Sequence, residues 1–181
     1  MKTPFQFFIL ILALMMSSCV GDLDFNQAND FELTPEFAVS LVRFTVDQND
    51  FLVGGNEVVL PPQTTIFSVL DNTTAQENLT QVVFKFEAIN TFNRDFEIDF
   101  VLLDNTDRET YRSATLMIDA EQDDFYYEEL VNIAATPLFL QSTKIRVEIR
   151  LMPSSNGSVL NANNQSILIF KSAGDFYFRF S

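Results

Sequence analysis

The chain has 181 residues, no histidine, one cysteine and no tryptophan, and its 25 acidic against 11 basic side chains leave a net charge of −14. A surface that negative repels phosphate backbones and anionic headgroups, which argues against nucleic-acid binding and against electrostatic docking on a membrane. Apolar residues nonetheless make up 47% of the sequence, with 20 phenylalanines, far too much core material for a disordered acidic tail.

In chain order, residues 1–18 carry one charge, Lys2, then the apolar run FFILILALMM over residues 7–16, then the small residues Ser17 and Ser18. This is the grammar of a secretory signal peptide. The run is ten residues long, whereas a helix needs about 20 to cross the hydrocarbon, so the segment is expected to be removed rather than kept as a span. The sequence Met16-Ser17-Ser18-Cys19 that follows resembles the lipobox of bacterial lipoproteins. The resemblance covers residues 1–19. It implies cleavage between Ser18 and Cys19, acylation of the Cys19 sulfur and then of its new amino group, and no other cofactor. It departs from the commonest form of the motif at Met16, where Leu is usual, and at Ser18, where Gly or Ala is usual. Val20 in place of Asp after the cysteine implies passage to the outer membrane, and Asp22 and Asp24 resemble the acidic export signals of surface-displayed lipoproteins. Lipid also explains why a lone thiol is carried into an oxidising compartment, where an unpaired cysteine is otherwise a liability.

Residues 19–36 (CVGDLDFNQANDFELTPE) are acidic and without periodicity, and are read as a tether. Asp22, Asp24, Asn26 and Asp30 mimic the first ligand positions of an EF-hand loop, but Gln27 stands where glycine is needed and Leu33 where a bidentate Glu is needed, so that site is excluded. From residue 37 to 181 the pattern is period two, expected to form a single domain. The clearest strand is residues 144–151, where Ile145, Val147, Ile149 and Leu151 alternate with charged neighbours. Val82, Phe84, Phe86 and Ala88 alternate in the same way, as do Phe96, Ile98, Phe100 and Leu102. The turn-rich residues 90–95 between those two runs predict a hairpin.

Further strands are expected at residues 37–46, 56–60, 65–70, 111–118, 125–131, 166–171 and 176–180, the last of them pairing inside a sheet. Turn signals separate them at residues 71–78, 104–109, 153–165 and 172–175. Residues 121–133 also suit an amphipathic helix, but Tyr126-Tyr127 and the neighbouring strands favour strand. Pro137 favours a single helical turn over residues 136–142. Many short strands with polar turns predict an all-β fold, an antiparallel β-sandwich of jelly-roll-like or immunoglobulin-like order.

Without histidine, and with Cys19 acylated, Ser-His-Asp and Cys-His nucleophilic systems and His- or Cys-ligated zinc are ruled out. A carboxylate pair could still cleave glycosides, but 25 acidic residues supply pairs without specifying any; no catalytic residue is assigned and a non-enzymatic role is expected. Residues 104–107 (DNTD) and 119–124 (DAEQDD) are candidate weak Ca²⁺ loops, set against plain solvated turns, and no metal site is assigned. The best ligand patch is Tyr126 and Tyr127 beside Asp123 and Asp124. It competes with a strand that turns one Tyr in and one out. Asn72, Asn78, Asn156 and Asn164 sit in Asn-x-Ser/Thr triplets, which a bacterial lipobox reduces to turn asparagines. The expected partners are the membrane, through lipid on Cys19, and an envelope protein or a glycan; the domain loosely resembles β-rich envelope lipoproteins without assigned activity.

Overall fold

Period-two alternation becomes strand wherever one face can be buried, and the computed structural model, which describes residues 33–154, 157, 159–160 and 165–180, carries that pattern into eleven strands. They are β1 (Glu36–Asp47), β2 (Leu52–Val53), β3 (Asn56–Glu57), β4 (Gln63–Ile66), β5 (Leu79–Asn90), β6 (Phe96–Leu103), β7 (Glu109–Arg112), β8 (Leu116–Ile118), β9 (Phe125–Asn132), β10 (Lys144–Leu151) and β11 (Ile167–Phe178). Residues 1–32, including Ser18, Cys19, Asp22 and Asp24, lie outside the described part of the chain, as do Asn156 and Asn164.

Two antiparallel sheets result, with orders β1-β11-β5-β9 and β4-β10-β6-β7, β8 also pairing with β6, and β2 and β3 form a small separate hairpin. The pairings are nested: β1 with β11, β4 with β10, β5 with β9, and β6 with β7 and β8. Successive pairs fall in alternate sheets. A long antiparallel ribbon rolled in this way is a jelly roll, which selects the first of the two orders expected from the sequence. Burial alternates as the sequence dictates. Phe84 and Phe86 of β5 face inward and meet Phe100 of β6 at 5.3 and 5.2 Å between ring centroids, so the core is a layer of phenylalanine between the sheets.

The strands at residues 37–46, 125–131 and 144–151 form where expected. Pro137 opens a 3-10 turn over Pro137–Gln141. The strand expected at 56–60 shrinks to two residues, and the one expected at 65–70 ends at Ile66. The turn expected at 71–78 contains a short helix, α1 (Thr73–Asn78), whose N-cap Asn72 accepts from the Ala75 N–H at 2.7 Å. Two of the Asn-x-Ser/Thr asparagines thus have local work, since Asn78 Nδ2 donates to the Thr74 carbonyl.

Three expectations are overturned. Residues 90–95 do not make a hairpin: β5 and β6 belong to opposite sheets. Local turn chemistry cannot distinguish a tight reversal from a corner between layers. Here buried Asn90 makes the corner, donating through Nδ2 to the Arg94 and Asp119 carbonyls at 2.9 and 2.7 Å and accepting from the Phe92 N–H at 2.9 Å. The single strand expected at 111–118 breaks into β7 and β8, both paired with β6, where Thr115 turns its hydroxyl onto Asp99. Residues 172–175 are no turn; they run inside β11 as one continuous strand. The small residues there are required by packing. A Cβ on Gly174 would stand 2.7 Å from Cε2 of the fully buried Phe176 ring, Ser172 is buried with its Oγ accepting from Val42 N–H at 3.1 Å, and Asp175 pairs with Lys85.

The domain begins before residue 37. Leu33 exchanges two backbone bonds with Phe180, and the Pro35 carbonyl accepts from Phe178 N–H, so part of the segment read as tether is fastened to the end of the sandwich.

Candidate functional site

Strand β9 is the outer strand of the first sheet, and its alternation decides what its tyrosines can do. Tyr126 lies opposite Glu87 and Tyr127 opposite Phe86 of β5. Phe86 belongs to the core, so Tyr127 is on the inward side, parallel to the Phe86 ring at 6.4 Å and 18°. Tyr126, 55% exposed, stands on the outer face. The four residues singled out from the sequence are therefore split. Tyr126, Asp123 and Asp124 come together, with Glu87, Ile89, Ile169 and Lys171, around an outer-face recess of about 250 Å³, while Tyr127 points the other way.

The recess is held by cross-strand ion pairs. Lys171 of β11 lies 3.6 Å from Glu87, and one step along the face Lys85 pairs with Asp175, which raises the lysine's pKa. The Tyr126 hydroxyl donates to Glu128; that bond first, and partial burial second, raise the phenol's pKa, so it stays protonated at neutral pH. An exposed ring, an aliphatic floor and several carboxylates make a surface that can pack on a sugar face and accept hydrogen bonds from its hydroxyls.

On the inward side, sequence reasoning missed a second arrangement. Glu129 Oε2 accepts from the Ala114 N–H at 2.9 Å, and its Oε1 accepts from the Tyr111 hydroxyl, joining the two sheets along the open side of the sandwich. Burial first, and Glu129 second, raise the Tyr111 pKa. Nothing in the local sequence joins residues 18 positions apart; the only signal was two polar groups at inward-facing places.

Of the two candidate Ca²⁺ loops, the one at residues 104–107 is filled by its own donors. Asp104 Oδ1 accepts from Thr106 N–H (2.8 Å), Thr106 Oγ1 (2.7 Å) and Arg108 N–H (3.0 Å), and Oδ2 accepts from Arg108 Nε at 2.8 Å. The Thr106 hydroxyl above all, then the backbone N–H groups and the guanidinium, outweigh burial and hold this carboxyl well below the usual range. In residues 119–124 the Asp119 and Gln122 carbonyls serve Asn90, and Ala120 N–H donates to Asp95 at 2.8 Å. Among the described residues no group of three His, Cys, Asp or Glu is placed to hold a metal.

On the outer face of the second sheet buried Asp99 accepts from Thr115 (2.7 Å), Arg150 (3.0 Å) and Arg112 (3.2 Å). Burial pushes its pKa up, but these partners overcome burial and lower it. Glu57 is lowered by Arg94 first and by the Leu160 N–H second. A carboxyl with a depressed native pKa adds stability that is complete above its unfolded pKa and is lost as pH falls through the native one. Urea midpoints are therefore expected to be flat from neutral pH down to about 5 and to fall steeply below about 4. A midpoint unchanged down to pH 2 would contradict the three depressed carboxyls.

No family model matches the sequence, and no curated protein matches it. Among solved structures, the chain is similar to a protein of Parabacteroides distasonis thought to be secreted, with a TM-score of 0.44 and 11% identity over 62% of this chain and 37% of that one. It is similar to VP2 of infectious bursal disease virus in a subviral particle, with a TM-score of 0.42 and 10% identity over 80% of this chain and 32% of the other. A Bacillus endospore appendage protein from a family of disulfide-linked pili follows with a TM-score of 0.34 and 6% identity, over 81% and 88% of the two chains. The chain spans about a third of the length of the first two proteins.

Proposed function

We propose that this chain is a lipid-anchored protein of the bacterial envelope, held at the outer membrane through Cys19, whose jelly-roll domain works by binding rather than by catalysis. The observation that carries the reading is the order of parts at the N-terminus: one charge, a short apolar run, Met16-Ser17-Ser18-Cys19, a polar stretch, and then a domain whose first described residue, Leu33, is already hydrogen-bonded to Phe180. Residues 20–32 form the link, with a reach of at most about 50 Å fully extended. A sequence without histidine and with its one cysteine acylated has no means of nucleophilic catalysis built on either. The test is the intact mass of protein purified from its native membrane. The expected species begins at Cys19 and carries acyl chains; a bare Cys19, or one still joined to residues 1–18, would overturn the anchor.

A second reading, a glycan-binding accessory of nutrient uptake, is favoured by one observation, the recess beside Tyr126 with its acceptor carboxylates. In that case Tyr126→Ala is expected to weaken binding to a polysaccharide roughly tenfold, about 1.4 kcal/mol, on the order of what covering an exposed aromatic side chain contributes. Tyr127→Ala, on the other face, should have little effect on binding. Affinity electrophoresis across a polysaccharide panel measures both, and equal effects from the two variants would remove the recess from consideration.

A further inference from the structure

At the end of the sandwich where the chain enters, apolar side chains remain uncovered. Leu33 and Phe37 are 52% and 56% exposed. Beside them Phe37, Val39, Val69, Phe178 and Phe180, with polar Asn72 and Thr74 at the start of α1, surround an open, mostly apolar recess of about 370 Å³. Phe37 meets buried Phe178 edge-on at 5.7 Å, and Phe178 is parallel to half-buried Phe180 at 6.2 Å, so the exposed Phe37 ring rests on an aromatic row continuous with the core. The backbone bonds of Leu33 to Phe180 fix the start of the domain on that same patch. In a protein with a net charge of −14, uncovered phenylalanine at one chosen end needs a reason.

Building on the anchor reading, we infer that this patch rests on the lipid bilayer, seating Leu33 and Phe37 at the boundary between headgroups and acyl chains. Chain continuity selects the occupant. Leu33 is where the link from Cys19 joins the domain, so a link of residues 20–32 keeps this end, rather than the end that holds the β2–β3 hairpin, within about 50 Å of the anchor. One exposed ring, Phe37, with exposed Leu33 and half-buried Phe180 beside it, binds a bilayer too weakly to hold a free protein there. Tethering makes the contact intramolecular, with an effective concentration on the order of millimolar, so a weak contact is enough. Phenylalanine and leucine suit the site because their contribution is apolar area, which needs no anionic headgroup and is compatible with the acidic remainder of the domain. Docking fixes the orientation of the sandwich: the recess beside Tyr126, which lies toward the other end of β9 from Asn132, is then held away from the lipid.

The chain contains no tryptophan, so Phe37→Trp introduces a single fluorophore into the patch, and Leu33→Trp gives an independent second one. The probe is the full acylated protein, its acylation verified by mass, in vesicles of zwitterionic phosphatidylcholine with or without bromine on the acyl chains. Both variants are expected to emit at short wavelength and to lose most of their emission in brominated vesicles. Val53→Trp, in the hairpin beyond the far end of β1, is expected to be unaffected by bromine. Long-wavelength emission without quenching in the two patch variants would leave the patch bare to water and overturn the inference. Short-wavelength emission without quenching would mean that a second copy or another protein covers it, and would overturn the inference equally. A bare Cys19 overturns the anchor and this docking together, whereas unquenched tryptophan on verified acylated protein overturns the docking alone.

Discussion

Replacing Cys19 by alanine is expected to abolish acylation and to remove the protein from the outer-membrane fraction, leaving either a precursor that retains residues 1–18 or a mislocalised chain. No larger effect is available from a single side chain in this sequence. Each buried CH₂ contributes about 0.8 kcal/mol, so one acyl chain holds only marginally and two or more hold firmly. On the proposed anchor, removing Cys19 takes all of them away at once. The apolar patch at Leu33 and Phe37 cannot substitute, because outside a tether those two side chains act at about micromolar protein concentration rather than at a millimolar effective one. Fractionation with intact-mass measurement of each fraction checks the outcome. A Cys19→Ala protein cleaved normally and retained at the outer membrane would contradict the anchor, and with it the reading that the domain is an envelope fixture.

Phe84→Ala is expected to cost the domain about 3–5 kcal/mol, a large part of the 5–15 kcal/mol by which a typical domain is stable. Phe84 is fully buried and lies within 6.1 Å, centroid to centroid, of Phe86, Phe100, Tyr111 and Phe139. Those partners come from β5, β6, β7 and the 3-10 turn, so one side chain bridges both sheets. Truncation leaves a cavity that fixed strands cannot collapse around, and forfeits ring-edge contacts worth about 0.5–1.5 kcal/mol each beyond burial. Glu87→Ala, on the same strand but facing water in a solvent-exposed pair with Lys171, is expected to cost less than about 1 kcal/mol. Urea unfolding of the three proteins separates the two. A loss below about 1 kcal/mol for Phe84→Ala would mean that the two layers are not packed through it.

The contrast between Phe84 and Glu87 also marks what could be read in advance. Their alternation placed one inward and the other outward, and the same parity governs Tyr126 and Tyr127: neighbours in a strand cannot share a face. A patch made of both tyrosines was therefore improbable on strand geometry alone. Which of them faced water depended on the register of β9 against β5, where Phe86 lies opposite Tyr127. That register is a property of the pair of strands, and no single stretch of sequence contains it. Lys171 and Glu87 are 84 residues apart in the chain and meet because β11 lies beside β5, so the recess could be only half anticipated, from Asp123, Asp124 and Tyr126. The loop at Asp104 misled in the opposite sense. Its oxygens look available for a cation when the chain is written as a line, but closing the turn aims four donors at one carboxylate.

By itself the sequence determined the all-β class, the inward faces of the long strands, the strand expected at residues 125–131 and the helical turn after Thr136. Each depends on periodicity, or on proline's fixed backbone angle, over a few residues. Only the tertiary structure decided that β5 and β6 face each other across the core instead of forming a hairpin, and that residues 172–175 continue a strand. Small and polar residues carry one local signal whether they make a turn, a corner or a close approach. Asn90 became a corner because Arg94 and Asp119 supply its acceptors, and Gly174 became strand because Phe176 fills the space its side chain would need. In both cases the deciding atoms come from the surrounding packing, and the residue's own conformational preference is too weak to choose.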